Sequence, residues 1–374
     1  MTYQYFATVG RGLEDIASQE IINLGGTNVE TDFTGVHFKG DTELLYRVNL
    51  WSRTIFRVLL TLETVPSYDS DELYESVNSF DWSPYLNPSQ TLAVHCTGKT
   101  PRLNHSHFTA LQVKSAIVDQ QQEKYGIRSD VDTENPDVII NAHIRHNKCT
   151  LSLDSSGESL HRRGYRPAMG RAPLKETLAA ALLYMTDWTP DLPLVDPLCG
   201  SGTLPIEATL MALNIAPGLY RKDFAFQKWA GFDPDLWEKV FAEAEASEKD
   251  TMPIITGSDA EEDVIIQARS NARACGFADK VKFYHQRLID VEAPADHGVL
   301  ICNPPYGKRL SETEQLFPLY KLLGDVLKQR FKGWTGYILS GNKELTKKIG
   351  LRTSQRIPVD NGGIPCTLLK YELY

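Results

Sequence analysis

Asn303, Pro304, Pro305 and Tyr306 follow the run His297-Gly298-Val299-Leu300-Ile301-Cys302, and each residue type in that order has a chemical use. An exocyclic amine on an aromatic base is a poor nucleophile, because its lone pair is delocalised into the ring. The amide oxygen of Asn303 and the backbone carbonyl of Pro304 can accept both amine protons, which favours a pyramidal nitrogen with its lone pair aimed at an electrophile. Consecutive prolines fix φ and remove donors, so the carbonyl is held in place. Tyr306 adds a flat, rigid face for an unstacked base. A Pro-Pro-Tyr-Gly surface turn has the same letters. The preceding residues, however, read as a short buried strand, so Asn303 falls at a strand's carboxyl end, where open α/β sheets hold ligands.

A second constellation lies upstream. The apolar run 192–195 leads into Asp196, Pro197, Leu198, Cys199, Gly200, Ser201, Gly202 and Thr203, and a helix starts near Thr203 and runs through Met211. Glycines at 200 and 202 let backbone approach a ligand closely. The third glycine and the phosphate-cradling lysine of nucleotide loops are missing, which argues against NAD or ATP. Asp196 suits a ligand that carries an ammonium group. Residues 252–259 read as a strand ending in Asp259, followed by Ala260 and a helix to about Cys275. A carboxylate in that place accepts ribose hydroxyls. A third strand, 280–285, precedes Asp290, which is placed to accept from an adenine amine. Each acid alone reads more readily as a helix cap or a solvated turn residue. Their succession at strand ends is hard to obtain by chance.

With those motifs in place the chain resembles class I S-adenosylmethionine-dependent methyltransferases. More narrowly, it is similar to the THUMP-domain RNA guanine-N2-methyltransferases, whose bacterial members modify 23S ribosomal RNA. The resemblance rests on Asp196–Thr203, Gly257–Asp259, Asp290 and Asn303–Gly307, with support from 160–166, a helix over 172–185 and the insertion 225–233. It spans most of residues 60–374. It implies S-adenosylmethionine as cofactor and S-adenosylhomocysteine as product. It implies that Asp196, Pro197, Leu198, Cys199, Gly200, Gly202, Thr203, Asp259, Ala260 and Asp290 hold the cofactor. Asn303, Pro304, Pro305 and Tyr306 would orient a guanine amine, with no metal. Asp196 and Asp259 are 63 residues apart, against about 20 in a minimal dinucleotide unit. The family carries an insertion there, so 214–251 reads as a helical excursion whose aromatics (Phe224, Phe226, Trp229, Phe232, Trp237) form local core. Three rivals share the motif chemistry: adenine-N6 DNA methyltransferases, glutamine-N5 protein methyltransferases and transfer-RNA guanine methyltransferases. A non-catalytic RNA-binding assembly factor is a fourth reading.

Periodicity gives the elements that must position these residues. Strands at 193–196, 252–259, 280–285, 297–302 and 335–340 alternate with helices, the pattern of a doubly wound parallel sheet. The segments 353–359 and 367–373 flank Asp360–Pro365, a hairpin signal that supplies a reversed last strand. The expected fold class is therefore α/β, with a Rossmann-like class I methyltransferase domain over 160–374. A ferredoxin-like α/β unit is expected over 1–55, with a strand at Tyr5–Val9, a helix at Gly12–Leu24, a strand at Val36–Gly40 and an Asp-capped helix at Asp41–Leu50. A THUMP-like α/β domain is expected over 56–157. It carries strands at 53–65 and 91–96, helices at 70–77 and 107–125, and a strand pair at 138–146 and 148–155 turning near Asn147.

Composition fits a large α/β enzyme of 374 residues, long enough for two or three domains. No apolar run approaches the roughly 18 residues of a membrane span. Met1-Thr2-Tyr3-Gln4-Tyr5 lacks the basic and apolar regions of a signal peptide. The six cysteines are scattered and read as reduced thiols of a cytoplasmic protein, with no zinc spacing among them. The net charge of −9 opposes nucleic-acid binding, but its distribution answers part of that. Residues 1–94 hold 13 acids and five Lys or Arg, whereas 99–171 hold 11 Lys or Arg, eight acids and five of the nine histidines. Phosphate contacts need only local positive potential. RNA contacts are therefore expected at Lys99, Arg102, Lys114, Arg145, Arg162, Arg163 and Arg166, with Arg171 in the same cluster.

Overall fold

A computed structural model describes residues 1–166, 174–307 and 310–374, with backbone alone over 310–312. Arg171 and the expected helix start at Ala172 lie outside the described residues. In chain order the first half contains β1 (Tyr3–Val9), α1 (Glu14–Asn23), β2 (Thr27–Asp32), β3 (Gly35–Gly40), α2 (Thr42–Trp51) and β4 (Ile55–Pro66). It continues with α3 (Ser70–Ser79), β5 (Leu92–Gly98), α4 (Ser106–Tyr125), β6 (Val138–Arg145) and β7 (Lys148–Asp154).

Alternation decides the faces of this half. Tyr5, Ala7 and Val9 of β1 are buried, while Phe6 and Thr8 point the other way. The buried set packs with Val36, Phe38 and Val58 against Ala17 and Ile21 of α1 and Leu44, Leu45 and Val48 of α2. Asp41 caps α2 by accepting from Leu44 N–H at 2.9 Å. The strand order is β2-β3-β1-β4-β7-β6-β5. β4 is shared: Leu60 pairs with Tyr5 on one side and Leu153 on the other. The two N-terminal units therefore form one sheet, and the expected division at 55/56 falls where their common strand begins. The β6–β7 turn places His146 at φ 49° and Asn147 at φ 58°, as a tight hairpin of matching twist requires. β2 was invisible to periodicity because this edge strand has no buried residue.

The second half contains α5 (Glu176–Tyr184), β8 (Leu194–Asp196), α6 (Thr203–Ala212), α7 (Pro234–Ala246), β9 (Ile255–Asp259), α8 (Glu262–Ala274) and β10 (Lys282–His285). After these come β11 (Val299–Cys302), α9 (Leu310–Arg330), β12 (Thr335–Ser340), α10 (Lys343–Lys348), β13 (Gln355–Asn361) and β14 (Ile364–Glu372). Their order is β10-β9-β8-β11-β12-β14-β13. Pairs from β10 to β12 are parallel, and β14 runs antiparallel to β12. Leu194, Ile255, Val299, Ile301 and Leu339 face one core with α5, α6 and α8. Val195, Leu300, Cys302 and Ile338 face another with α9 and α10. Burial on both faces explains why these strands read as continuous apolar runs. That second core stops at β8. A groove of about 720 Å³ lies along the bare side of β9 and β10, with Tyr284 and Asp290 on its walls.

The excursion over 214–251 departs from expectation in one respect. Its aromatics pack on one another, with Phe226 5.2 Å from Trp237, but the cluster is not confined to the insertion: Tyr46 of α2 stacks on Phe226 at 4.5 Å and meets Trp237 edge-on at 5.8 Å. The insertion is wedged against the first unit, sharing its core.

Candidate active site

The order of strands reverses between β8 and β11, and open sheets bind ligands beyond the carboxyl ends at such a switch point. The register brings three expected residues to that edge. Asp196 pairs with Gly257, two residues before Asp259, and Leu300, three residues before Asn303, pairs with Val195.

Asp196 is 2% exposed, and its carboxylate accepts from Leu198 N–H at 3.1 Å. Burial pushes its carboxyl well above the usual range, and the nearby charge of Asp259 adds to that. Asp259 holds the loop from the other side, accepting from Gly200 N–H at 3.0 Å and Glu261 N–H at 3.1 Å. Gly200 takes φ +51° with open space where a side chain would stand. Gly202 takes φ +82°, and a Cβ there would come within 2.7 Å of the Phe283 ring. Thr203 opens α6 and is bonded by the Arg166 guanidinium. Pro197 is buried, Leu198 half-buried and Ala260 exposed. Burial raises the thiols of Cys199 and Cys302 well above their ordinary value, so they stay protonated and pack rather than attack. Asp290 lines the groove along β9 and β10 together with Val195 and Ser258, and its carboxylate is bonded to Arg287 at 2.9 Å.

Asn303 is half-buried, and its Oδ1 is buried with no hydrogen-bond partner among the described residues. An acceptor stranded in that way costs about 1–3 kcal/mol. Pro304 is buried, and the exposed Pro305 has its carbonyl fixed by the Tyr320 hydroxyl at 3.2 Å. Tyr306 is half-buried against Gly341, where a Cβ would press to 3.2 Å from its ring. Its hydroxyl accepts from Asn361 Nδ2 at 2.8 Å. Burial pushes that hydroxyl up to about 12, so the ring is neutral at physiological pH. Tyr320 and Asn361 were missed from sequence. Tyr320 reads as helix core and Asn361 as a turn residue, and only the pairing of β13 with β14 brings Asn361 to the motif.

Two expected RNA contacts are corrected. Arg163 is buried and ion-paired with Glu207 at 3.5 Å, while donating to the Leu160 carbonyl at 2.8 Å and the Arg53 carbonyl at 2.5 Å. Arg166 is largely buried and pairs with Glu176 at 3.2 Å. Both cations are consumed internally, so neither is available to phosphate. Of the others, Lys99, Arg102, Arg145 and Arg162 are exposed and Lys114 is half-buried. Arg102 lies over the Tyr68 ring at 4.1 Å, Arg145 bonds Asp32 at 3.1 Å, and Arg162 pairs with Glu158.

A seven-stranded sheet with a reversed β14 and a glycine turn after β8 defines a class I S-adenosylmethionine-dependent methyltransferase fold. Residues 163–370 match the RMKL-like methyltransferase domain, 67–154 the THUMP domain, and 4–59 the RlmL ferredoxin-like domain. The chain belongs to the RMKL-like methyltransferase family. It is 59% identical to a putative RNA methyltransferase of Synechocystis sp., covering 100% of this chain and 97% of that one. It is 40% identical to the ribosomal RNA large subunit methyltransferase K/L of Syntrophotalea carbinolica, covering 99% of this chain and 53% of the relative. The chain thus spans about half the length of the K/L relatives it matches. A crystal structure of a putative methyltransferase complexed with S-adenosylhomocysteine superposes with TM-score 0.91 at 32% identity, covering 100% of this chain and 98% of that one. Among the described residues no helix is long and apolar enough to cross a membrane, and no cluster of His, Cys, Asp or Glu is arranged to hold a metal.

Proposed function

We propose that this chain transfers a methyl group from S-adenosylmethionine to the exocyclic N2 amine of a guanine in RNA, with 23S ribosomal RNA as the substrate. The observation that carries this reading is the buried, unpartnered Oδ1 of Asn303 beside a glycine turn opened by a buried acid. An amine proton satisfies that acceptor, and in doing so turns the nitrogen lone pair out of conjugation. Asn303 and the Pro304 carbonyl orient the amine, Pro305 stiffens the turn, and Tyr306 supplies a neutral face for the base. The donor set fits the cofactor. Asp196 is a buried acid suited to an ammonium group, Asp259 faces the glycine turn and has lone pairs for ribose, and Gly200 borders open space. Pro197, Leu198, Cys199, Gly202 and Thr203 shape that turn, while Ala260 follows Asp259 and Asp290 lines the neighbouring groove. Bound there, S-adenosylmethionine supplies an electrophilic methyl group, so the protein contributes alignment and needs no covalent nucleophile.

RNA as substrate is supported by the relatives' names and the THUMP match. Lys99, Arg102, Lys114, Arg145 and Arg162 are the cations left for phosphate, and a cytoplasmic location belongs to the same reading. We keep the division 1–55, 56–157 and 160–374 as functional parts. Guanine rests on family resemblance alone, since Asn-Pro-Pro-Tyr orients an adenine amine equally well. Deleting the gene and analysing nucleosides of 23S RNA by mass spectrometry should show loss of N2-methylguanine. Loss of N6-methyladenine in its place would move the target to adenine. An unchanged ribosomal profile with N2-methylguanine missing from transfer RNA would move the substrate.

A further inference from the structure

We infer that the outward face of the first unit is a stacking surface for single-stranded RNA next to the target base. This rests on the RNA reading above and adds where the substrate is held. Phe6, Phe33 and Phe56 belong to none of the apolar cores formed by the described residues. Phe33 sits at the β2–β3 turn, 71% exposed, with the Arg11 guanidinium 6.0 Å from its ring centre. A bond from Val9 N–H to the Thr34 carbonyl at 3.0 Å fixes this tip beside the end of β1. The adjoining Gly10 borders Phe56, whose ring would lie 3.8 Å from a Cβ there. Phe56 in turn carries the Lys175 ammonium at 5.2 Å.

Two cation–ring pairs therefore lie near the end of β1, an exposed one at Phe33 and a half-buried one at Phe56, which also meets His161 edge-on at 6.1 Å. Neither Arg11 nor Lys175 has a carboxylate partner among the described residues. For Arg11 that stands out, because its segment, 1–94, has 13 acids against five Lys or Arg. The surface also leads to the chemistry: Lys175 precedes α5, whose Glu176 holds Arg166, which bonds Thr203 at the glycine turn. Flat rings and unpaired cations match the bases and phosphates of an unpaired strand. Duplex RNA hides its base faces and does not fit. Drawing a base into the cleft unstacks its neighbours, and those neighbours then need a face to lie on.

The test uses the full chain with Phe33→Ser, Arg11→Ala and Phe33→Trp, all at exposed positions. A fluorescent single-stranded RNA, the same sequence as a duplex, and a protein-free 23S transcript are the probes. Phe33→Ser should weaken single-strand binding by at least about fivefold, as loss of one stacked base does, and Phe33→Trp should restore it. Arg11→Ala should reduce the slope of log affinity against log salt by about one. Duplex binding and S-adenosylmethionine affinity should not change in any variant. Wild-type single-strand affinity and salt slope in both Phe33→Ser and Arg11→Ala would overturn the surface, as would a wild-type protein that binds no single-stranded RNA. Methylation of the transcript by wild type separates the two readings. If it proceeds while the variants bind normally, only the surface falls; if it never proceeds, the RNA reading itself falls.

Discussion

In the proposed reaction, Asn303 is the side chain that separates binding from chemistry. Asn303→Ala removes the amine acceptor but no residue of the glycine turn. Methyl transfer should be lost while S-adenosylmethionine affinity, measured by calorimetry, stays within about twofold; near-normal turnover would make the motif structural. Asp196 gives a pH signature. Its carboxyl is raised by burial, so the cofactor-free folded protein holds a proton longer than the unfolded chain does. Stability of that form should therefore fall as pH rises above the usual carboxylate range. A cationic ligand favours the ionised form, so affinity should rise over the same window with a proton released on binding. Calorimetry in two buffers of different ionisation enthalpy measures that proton, and Asp196→Asn should abolish it. At this scale the candidate residues stand out because Asn-Pro-Pro-Tyr and the glycine turn are local in sequence, and the register sets Asp196, Asp259 and Asn303 at neighbouring strand ends. Arg163 and Arg166 were misread because a cluster of arginines looks the same whether it faces solvent or a buried acid. Glu207 and Glu176, the acids that consume them, carry no local mark of burial.

Elements show a second layer of support. α6 carries Glu207, fully buried, which receives Arg163 and the Tyr165 hydroxyl at 2.9 Å. Glu207→Ala leaves Arg163 buried without its counter-ion and should cost about 3–5 kcal/mol in urea unfolding. A loss near zero would mean that the Arg53 and Leu160 carbonyls suffice. The β13–β14 hairpin acts through Asn361, whose bond to Tyr306 should hold the ring square to the cleft. Asn361→Ala should lower kcat about fivefold, since a neutral hydrogen bond is worth ~1 kcal/mol, and leave cofactor affinity unchanged. The hairpin itself was legible from Asp360-Asn361-Gly362-Gly363; the structure narrows its turn to Gly362 and Gly363, both at positive φ. β2 was not legible, because an edge strand with no buried residue has no alternation to read.

The whole molecule is less divisible than its three sequence matches suggest. Tyr46 on Phe226, Arg163 on the Arg53 carbonyl, and Asn49 bonded to Ser155 at 2.9 Å tie the first unit to the rest. Thermal unfolding should therefore show the first unit and the methyltransferase part melting together. A fragment of residues 160–374 should expose Phe224, Phe226 and Trp237 and aggregate. A soluble fragment with normal cofactor affinity would show that the wedge is dispensable. None of this was legible, since contacts between units far apart in sequence leave no periodic trace.

The shared strand β4 has a consequence of its own. Its 12 residues span roughly 40 Å at about 3.3 Å each, paired with β1 over the first half and with β7 over the second, the two overlapping at Leu59 and Leu60 where a linker would swing. The two N-terminal parts are thereby held at one spacing, like the jaws of a locked caliper. On the RNA reading proposed above, such an enzyme would select by spacing: an RNA would qualify when an anchoring feature and a reachable amine lie a set distance apart. A short oligonucleotide holding the right letters would touch only one jaw.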